Sequence, residues 1–282
     1  MERTVGCGVA VAVLAAFVFP LQTSSQTTQP VPSGPAAVPA PSPAQIPQAA
    51  PVPPQTASTR QVSWKLLLPN LLDDQKYLWS FPGRLAQGQN WIGTTAVLGV
   101  AGGLQALDPI AGEYFRQTAT FHSFNNIFTS KATAIGTIVA PLTLYGVGLI
   151  HKDSRMQQTA LFAGEAVADA EILATVMKSS TRRLRPADVP VHGNYWDTWF
   201  ESHGSVLRGN GSFPSGHTIA AFSVATVVAS RYRNRRWVPY VSYGLASLVG
   251  FSRLTLSSHF ASDVFMGAAL GYSTSRFAVL RQ

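Results

Sequence analysis

Residues 159–186 read TALFAGEAVADAEILATVMKSSTRRLRP, and the fold follows from how this stretch is read. From Thr159 to Met177 the run is mainly apolar, shows no strand-like alternation and is far longer than a strand needs to be. A basic cluster and Pro186 close it. Five more segments share this character: Trp91–Leu107, Thr133–Ile150, Ser215–Tyr232, Trp237–Thr255 and Ser262–Leu280. Gly, Pro and charged residues separate them. The pattern predicts an all-α protein, a bundle of about six helices. Asp153-Ser154 and Pro214-Ser215 are the expected starts of the third and fourth helices. Leu66–Trp79 reads as one or two minor helices, and no internal repeat is present.

Working outward, the chain divides into three parts. Met1-Glu2-Arg3, an apolar run from Val5 to Phe19 and small polar residues to Ser25 have the order of a secretory signal peptide over residues 1–25. Residues 26–60 form a Pro/Ala-rich linker. It has ten prolines between Gln26 and Ser58 and, until Arg60, no charged residue. Such a stretch buries too little apolar surface to offset its ordering entropy, and its prolines favour extended conformations. Residues 61–282 are the expected folded domain. Cys7 is the lone cysteine, which excludes a disulfide framework and any Cys-based zinc site.

The charge balance is +8, from 21 basic and 13 acidic residues. That excess implies an anionic partner. Arg231–Arg236 is a turn between two apolar helices, not a basic groove, so nucleic acid is not the expected partner. Anionic headgroups suit it better. Basic clusters at His151–Arg155 and Arg231–Arg236 would share one side of alternating membrane spans, as the positive-inside rule requires. Glu165, Asp169 and Glu171 argue against a span, because acids at mid-depth are costly in lipid. With a cleaved leader, the parity of spans also fails. These points favour an extracytoplasmic, periplasmic bundle with membrane association left open. The three acids lack a His or a fourth acid at helical spacing, so no metal is expected there. They read as a polar stripe, or as partners for nearby bases.

Three short motifs carry the chemistry. Lys178 is followed after six residues by Arg185-Pro186; next comes Pro214-Ser215-Gly216-His217; then Ser252-Arg253, His259 and Asp263. All three sit where a predicted helix ends or begins, and alternating helix direction puts them on one face. Lys178, Arg185 and Arg253 offer cationic donors, and arginine can fork onto two phosphate oxygens. Ser215 and Gly216 place free backbone N–H groups at a helix N-terminus, where an anion is favoured. His259 and Asp263 are four residues apart, so on one helical face the carboxylate can hold one imidazole nitrogen. The other nitrogen is then free to attack phosphorus, and His217 can protonate the departing oxygen.

This set of motifs, over residues 178–263, resembles the type 2 phosphatidic acid phosphatase superfamily, which includes bacterial class A acid phosphatases, lipid phosphate phosphatases and vanadium haloperoxidases. The resemblance implies an all-helical core and metal-independent hydrolysis of a phosphomonoester or lipid pyrophosphate through a phosphohistidine, without a cofactor. It implies His259 as nucleophile, Asp263 as its orienting acid and His217 as general acid. Lys178, Arg185, Ser215, Gly216 and Arg253 would bind the phosphoryl oxygens. Two rivals share these features: a haloperoxidase holding vanadate on His259, and a non-catalytic envelope scaffold working through the Pro-rich linker. Short motif spacing disfavours the first, and intact His217, His259 and Asp263 disfavour the second. His122, His151, His192 and His203 lack motif context. Tyr195, Trp196, Trp199 and Phe200, in the 187–213 loop, either line a substrate pocket or pack the loop onto the bundle.

Overall fold

The computed structural model describes residues 60–202 and 211–281, and every regular element among them is helical. The stretches read as signal peptide and linker, apart from Arg60, lie outside the described residues, as does His203. The elements run α1 (Leu67–Trp79), α2 (Phe81–Ala86), α3 (Trp91–Gln117), α4 (His122–Ile127), α5 (Ser130–Ile150), α6 (Ser154–Thr181), α7 (Gly216–Arg231), α8 (Trp237–Thr255) and α9 (Ala261–Ser273). A π-helical turn, Thr274–Val279, extends α9. The six predicted segments correspond to α3 and α5 through α9.

α6 begins where Asp153 caps it, its carboxylate accepting from the backbone N–H of Arg155 (2.8 Å) and Met156 (3.1 Å). Two orphan donors of the first turn are thereby satisfied. Further along, Ala163, Ala166, Ala170 and Ala174 are fully buried and form a small-residue stripe on one helical face. Val227 and Val279 pack with Phe162, Ala163 and Ala166, while Ile219 packs with Ala170 and Ala174. α7 is central, lying against α6, α8 and α9. Its contact with α9 is backbone-close: a Cβ on Gly271 would lie 2.5 Å from the Ile219 carbonyl. A larger residue there would push the two helices apart.

The structure departs from the predicted boundaries in two instructive places. Asp108-Pro109 reads as a helix stop, yet α3 continues through it to Gln117. Buried tertiary partners hold Asp108 and override the local break. The last segment is α-helical only to Ser273, where the π-helical turn takes over. Arg60 donates to the Ala278 and Val279 carbonyls at the end of that turn (3.3 and 3.2 Å). It also grips Asp74 (2.7 Å) and Glu165 (2.5 Å), so the folded domain already includes the last residue of the stretch read as linker.

The outer surface is strongly apolar. α5 is long and apolar enough to cross a membrane, with 17% of its apolar stretch buried. Ile135, Ile138 and Leu142 on α5, Ile92, Leu98 and Ile110 on α3, and Trp237, Val241 and Leu245 on α8 are all exposed. Contiguous apolar surface is rare on soluble monomers and marks membrane or protein contact. This supports the membrane association that the sequence reading left open.

Candidate active site

Local chemistry delivers each motif to the same end of the bundle. Lys178 lies in the last turn of α6, which stops at Arg182 in the left-handed region (φ 44°). That turn sends Arg183 back into the interior. The chain is then pinned by Leu184 N–H donating to the Thr198 carbonyl (2.8 Å) and Ala187 N–H donating to that of Ser257 (3.0 Å). Arg116 on α3 steadies the same loop, donating to the Val189 and Pro186 carbonyls and to the Tyr195 hydroxyl.

The second motif is stitched to the other two through its backbone. Ser212 N–H donates to the Arg183 carbonyl (2.8 Å), and Ser215 N–H donates to that of Asp263 (3.1 Å). Gly216 opens α7, and an added Cβ would meet Lys178 Nζ at 3.1 Å and Glu171 Oε1 at 3.2 Å. Any side chain there would displace the lysine from the helix N-terminus. The helix start and the ammonium group thus face one small volume, which suits an anion.

In the third motif Arg253 is fully buried, donating to the Phe128 carbonyl (2.7 Å), Ser130 Oγ (3.1 Å) and Ser252 Oγ. His217 Nε2 donates to the Ser130 carbonyl (3.1 Å), so the start of α5 touches both groups. By contrast, among the described residues the Lys178 ammonium and the Arg185 guanidinium have no hydrogen-bond or ion-pair partner. Both cations act electrostatically on His259.

His259 differs from its expected arrangement. α9 starts only at Ala261, so His259 precedes the helix and the i,i+4 register with Asp263 does not apply. Its Nδ1 instead donates to the Ser212 carbonyl at 2.7 Å, and Asp263 Oδ2 is 3.9 Å away. The backbone carbonyl, not the carboxylate, fixes the tautomer. Asp263 accepts from Arg183 Nη1 (2.6 Å), Ser212 Oγ (2.5 Å) and Phe260 N–H (2.8 Å). Three donors to one carboxyl group is the pattern of an ionised acid.

Electrostatics follow from this packing. Burial pushes His259 well below the usual histidine value, and Arg185 and Lys178 add to the shift against the opposing Ser212 bond. His259 is therefore neutral, with its Nε2 lone pair available. His217 is lowered to about 4 by burial and by Arg253, against the Ser130 carbonyl. A bound phosphoryl anion would raise it again, since an opposite charge favours the protonated form. Burial lowers Lys178, which Glu171 opposes, and burial raises Glu171, which Lys178 opposes.

Sequence reading missed Arg183, Asp108, Ser212 and Ser130, whereas Glu171, expected as a partner for a nearby base, lies beside Lys178. Two of them left a signal: Arg183 lies inside the first motif, and Asp108 is an acid in an otherwise apolar segment. The loop aromatics pack the loop onto the bundle and border a cleft beside Arg183. Trp199 packs against Phe213 and the Arg183 guanidinium, and with Tyr195, Trp196 and Gln105 it lines a cleft of about 260 Å³. Glu165 meets the expectation of a partner for a nearby base, through Arg60, whereas Asp169 accepts from the neutral amide of Gln75. With Asp74 they bring carboxylate oxygens within 4.8 Å of one another, a spacing a cation could use, although Arg60 already lies among them.

Residues 159–282, which hold all three motifs, match the PAP2 superfamily. The match takes in less than half of the chain. A lipid A 1-phosphatase of Porphyromonas gingivalis is 46% identical over 61 residues, 21% of this chain and 14% of that protein. A lipid A 1-phosphatase of Rhizobium etli is 33% identical over 103 residues, 36% of this chain and 40% of that protein. The chain thus matches well under half the length of either relative. The crystal structure of a transmembrane PAP2 type phosphatidylglycerolphosphate phosphatase from Bacillus subtilis aligns over 76% of this chain and 92% of its own. Its TM-score is 0.37 and its identity 21%. The all-α assignment rests on the helices themselves.

Proposed function

We propose that this PAP2 protein hydrolyses the phosphate ester of a lipid through a covalent phosphohistidine. The observation that carries the reading is His259: buried, neutral, locked at Nδ1 by the Ser212 carbonyl, and next to two cations that make no hydrogen bond or ion pair among the described residues. His259 Nε2 attacks phosphorus, a P–N bond forms and the P–O bond to the lipid breaks. His217 passes a proton to the departing oxygen. Water then attacks the phosphohistidine, giving its proton to His217, and phosphate leaves with His259 restored. Lys178, Arg185, Arg253 and the first N–H groups of α7 neutralise the phosphoryl oxygens as charge builds on them. No step uses a metal ion.

Two features support a lipid as the leaving group. The bundle exposes apolar side chains along α3, α5 and α8, as a lipid-contacting surface would, and both relatives at 33% identity or better carry a lipid phosphatase name. Export by the 1–25 leader, with action on the extracytoplasmic side, belongs to the same proposal. The test is phosphate release from long-chain lipid phosphates and from a soluble monoester, with EDTA present. The His259→Ala variant should lose activity by at least about 10³-fold and His217→Ala by about 10²–10⁴-fold. Full activity in the His259 variant would sink the mechanism, loss in EDTA would point to a metal enzyme, and preference for the soluble monoester would remove the lipid assignment.

A further inference from the structure

We infer that Asp108 and Arg183 are a positioning pair for the proposed reaction, holding Asp263, and through Ser212 the His259 imidazole, in the attacking arrangement. The inference rests on the phosphohistidine reading and goes beyond the three motifs, since Asp108 is on α3, outside all of them, and outside the residues that match the superfamily.

The geometry leaves the Arg183 side chain almost no freedom. Arg183 is 2% exposed. Nη1 donates to Asp263 Oδ1 (2.6 Å) and Ser262 Oγ (2.8 Å), Nη2 to Asp108 Oδ2 (2.7 Å), and Nε to Thr198 Oγ1 (3.3 Å). The Trp199 and Phe260 rings both lie against the guanidinium, 4.6 and 4.2 Å from its centre. Asp108 is fully buried and reaches the same elements by another route, accepting from Ser262 N–H (3.0 Å) and from the Ser262 hydroxyl. α3, the chain after α6 and the start of α9 are thus tied at one point. Ser212 then joins that point to the histidine: its hydroxyl donates to Asp263, its carbonyl accepts from His259 Nδ1, and its own N–H donates to the Arg183 carbonyl.

The pair also sets the charge felt by the reacting group. The charged or titratable groups facing Asp263 are Arg183, Asp108, His259 and Lys178. Burial raises Asp263, Arg183 opposes that, and Asp108 reinforces it. Removing Arg183 therefore makes Asp263 easier to protonate, and neutralising Asp108 makes it harder. A scaffold that only held helices together would give no such opposition of sign.

The experiment compares Arg183→Gln, Asp108→Asn and His259→Ala in the full chain, with near-ultraviolet circular dichroism to verify folding. Both positioning variants should lose about 10²-fold in kcat, the size expected of an ångström-scale misplacement, while KM stays within about 3-fold. The acid limb of the kcat profile should move to higher pH in Arg183→Gln and to lower pH in Asp108→Asn. An unmoved limb, or shifts of the same sign in folded variants, would overturn the inference. Should Arg183→Gln not fold, the sign of the Asp108→Asn shift decides alone. Histidine ¹⁵N chemical shifts supply a readout independent of turnover: His259 should be protonated at Nδ1 in the parent and become a tautomer mixture in Asp108→Asn. An unchanged tautomer would count against the pair. Activity surviving in His259→Ala would overturn the phosphohistidine reading instead, and the ¹⁵N spectra would still judge the pair.

Discussion

Two arginines that hold buried acids, the buried Arg183 and the half-buried Arg60, solve the same problem differently. Arg183 binds Asp108 and Asp263, and every oxygen of those two acids has a donor. Arg60 binds Asp74 and Glu165 at the other cluster, with Asp169 close by, yet among the described residues Glu165 Oε2 and Asp169 Oδ2 are buried without a hydrogen-bond partner. The consequence shows in their charge. Glu165 is pushed up to about 8 and Asp169 to about 7, in both cases chiefly by burial, with Asp74 adding to the shift. In the first cluster burial raises Asp263 as well, but Arg183 and the bonds from Ser212 and Phe260 oppose it. The second retains protons into the neutral range. Full satisfaction of a buried network gives rigidity, whereas partial satisfaction makes it responsive to pH.

The sharpest break in this comparison is Asp263→Ala set against Arg60→Ala. Removing one member of a buried ion pair leaves an uncompensated charge, so each variant should lose about 3 kcal/mol of stability. Only Asp263→Ala should also lose activity per folded molecule, by about 10³-fold, as its carboxylate joins Arg183 to Ser212. Denaturant melts paired with turnover, corrected for the folded fraction, check this. An equal loss of corrected activity in Arg60→Ala would mean that the clusters are not separate.

A smaller effect should distinguish them by pH. A carboxyl group raised in the folded state costs nothing below its unfolded value and increasingly more as pH climbs through the folded one. The thermal midpoint should therefore fall between about pH 5 and pH 8 in the parent, and Asp169→Asn should flatten that slope by about 1–2 kcal/mol. A slope that survives the substitution would place the titrating group elsewhere. The smallest effect belongs to the exposed Lys76–Asp73 pair (3.3 Å), where Lys76→Ala should change stability by no more than about 0.5 kcal/mol. A larger loss would show that exposed charge matters here as much as buried charge.

Much of the fold was legible because its signals are local. The α6 start at Asp153 and the α8 limits at Trp237 and Thr255 are where the residues place them. The end of α3 was not, because Asp108-Pro109 looks like a stop until Arg183 and Ser262 are known to hold it. Lys178, Arg185, Ser215, Gly216, His217, Arg253, His259 and Asp263 could be named as candidates from residue type, motif spacing and the family resemblance. The partner of His259 could not: the Ser212 carbonyl carries no side-chain signature, and any residue presents the same atom.

Amino-acid order by itself determined the helical class, the three motifs and their gathering at helix ends, because apolar periodicity and short spacings act over a few residues. Tertiary structure alone decided what surrounds each charge. Ser212 is 47 residues from His259, Asp108 is 75 from Arg183, and Glu165 is 105 from Arg60. Whether a buried acid is satisfied, ionised or proton-bearing depends on which of these distant atoms arrives beside it, and only packing of the helices settles that.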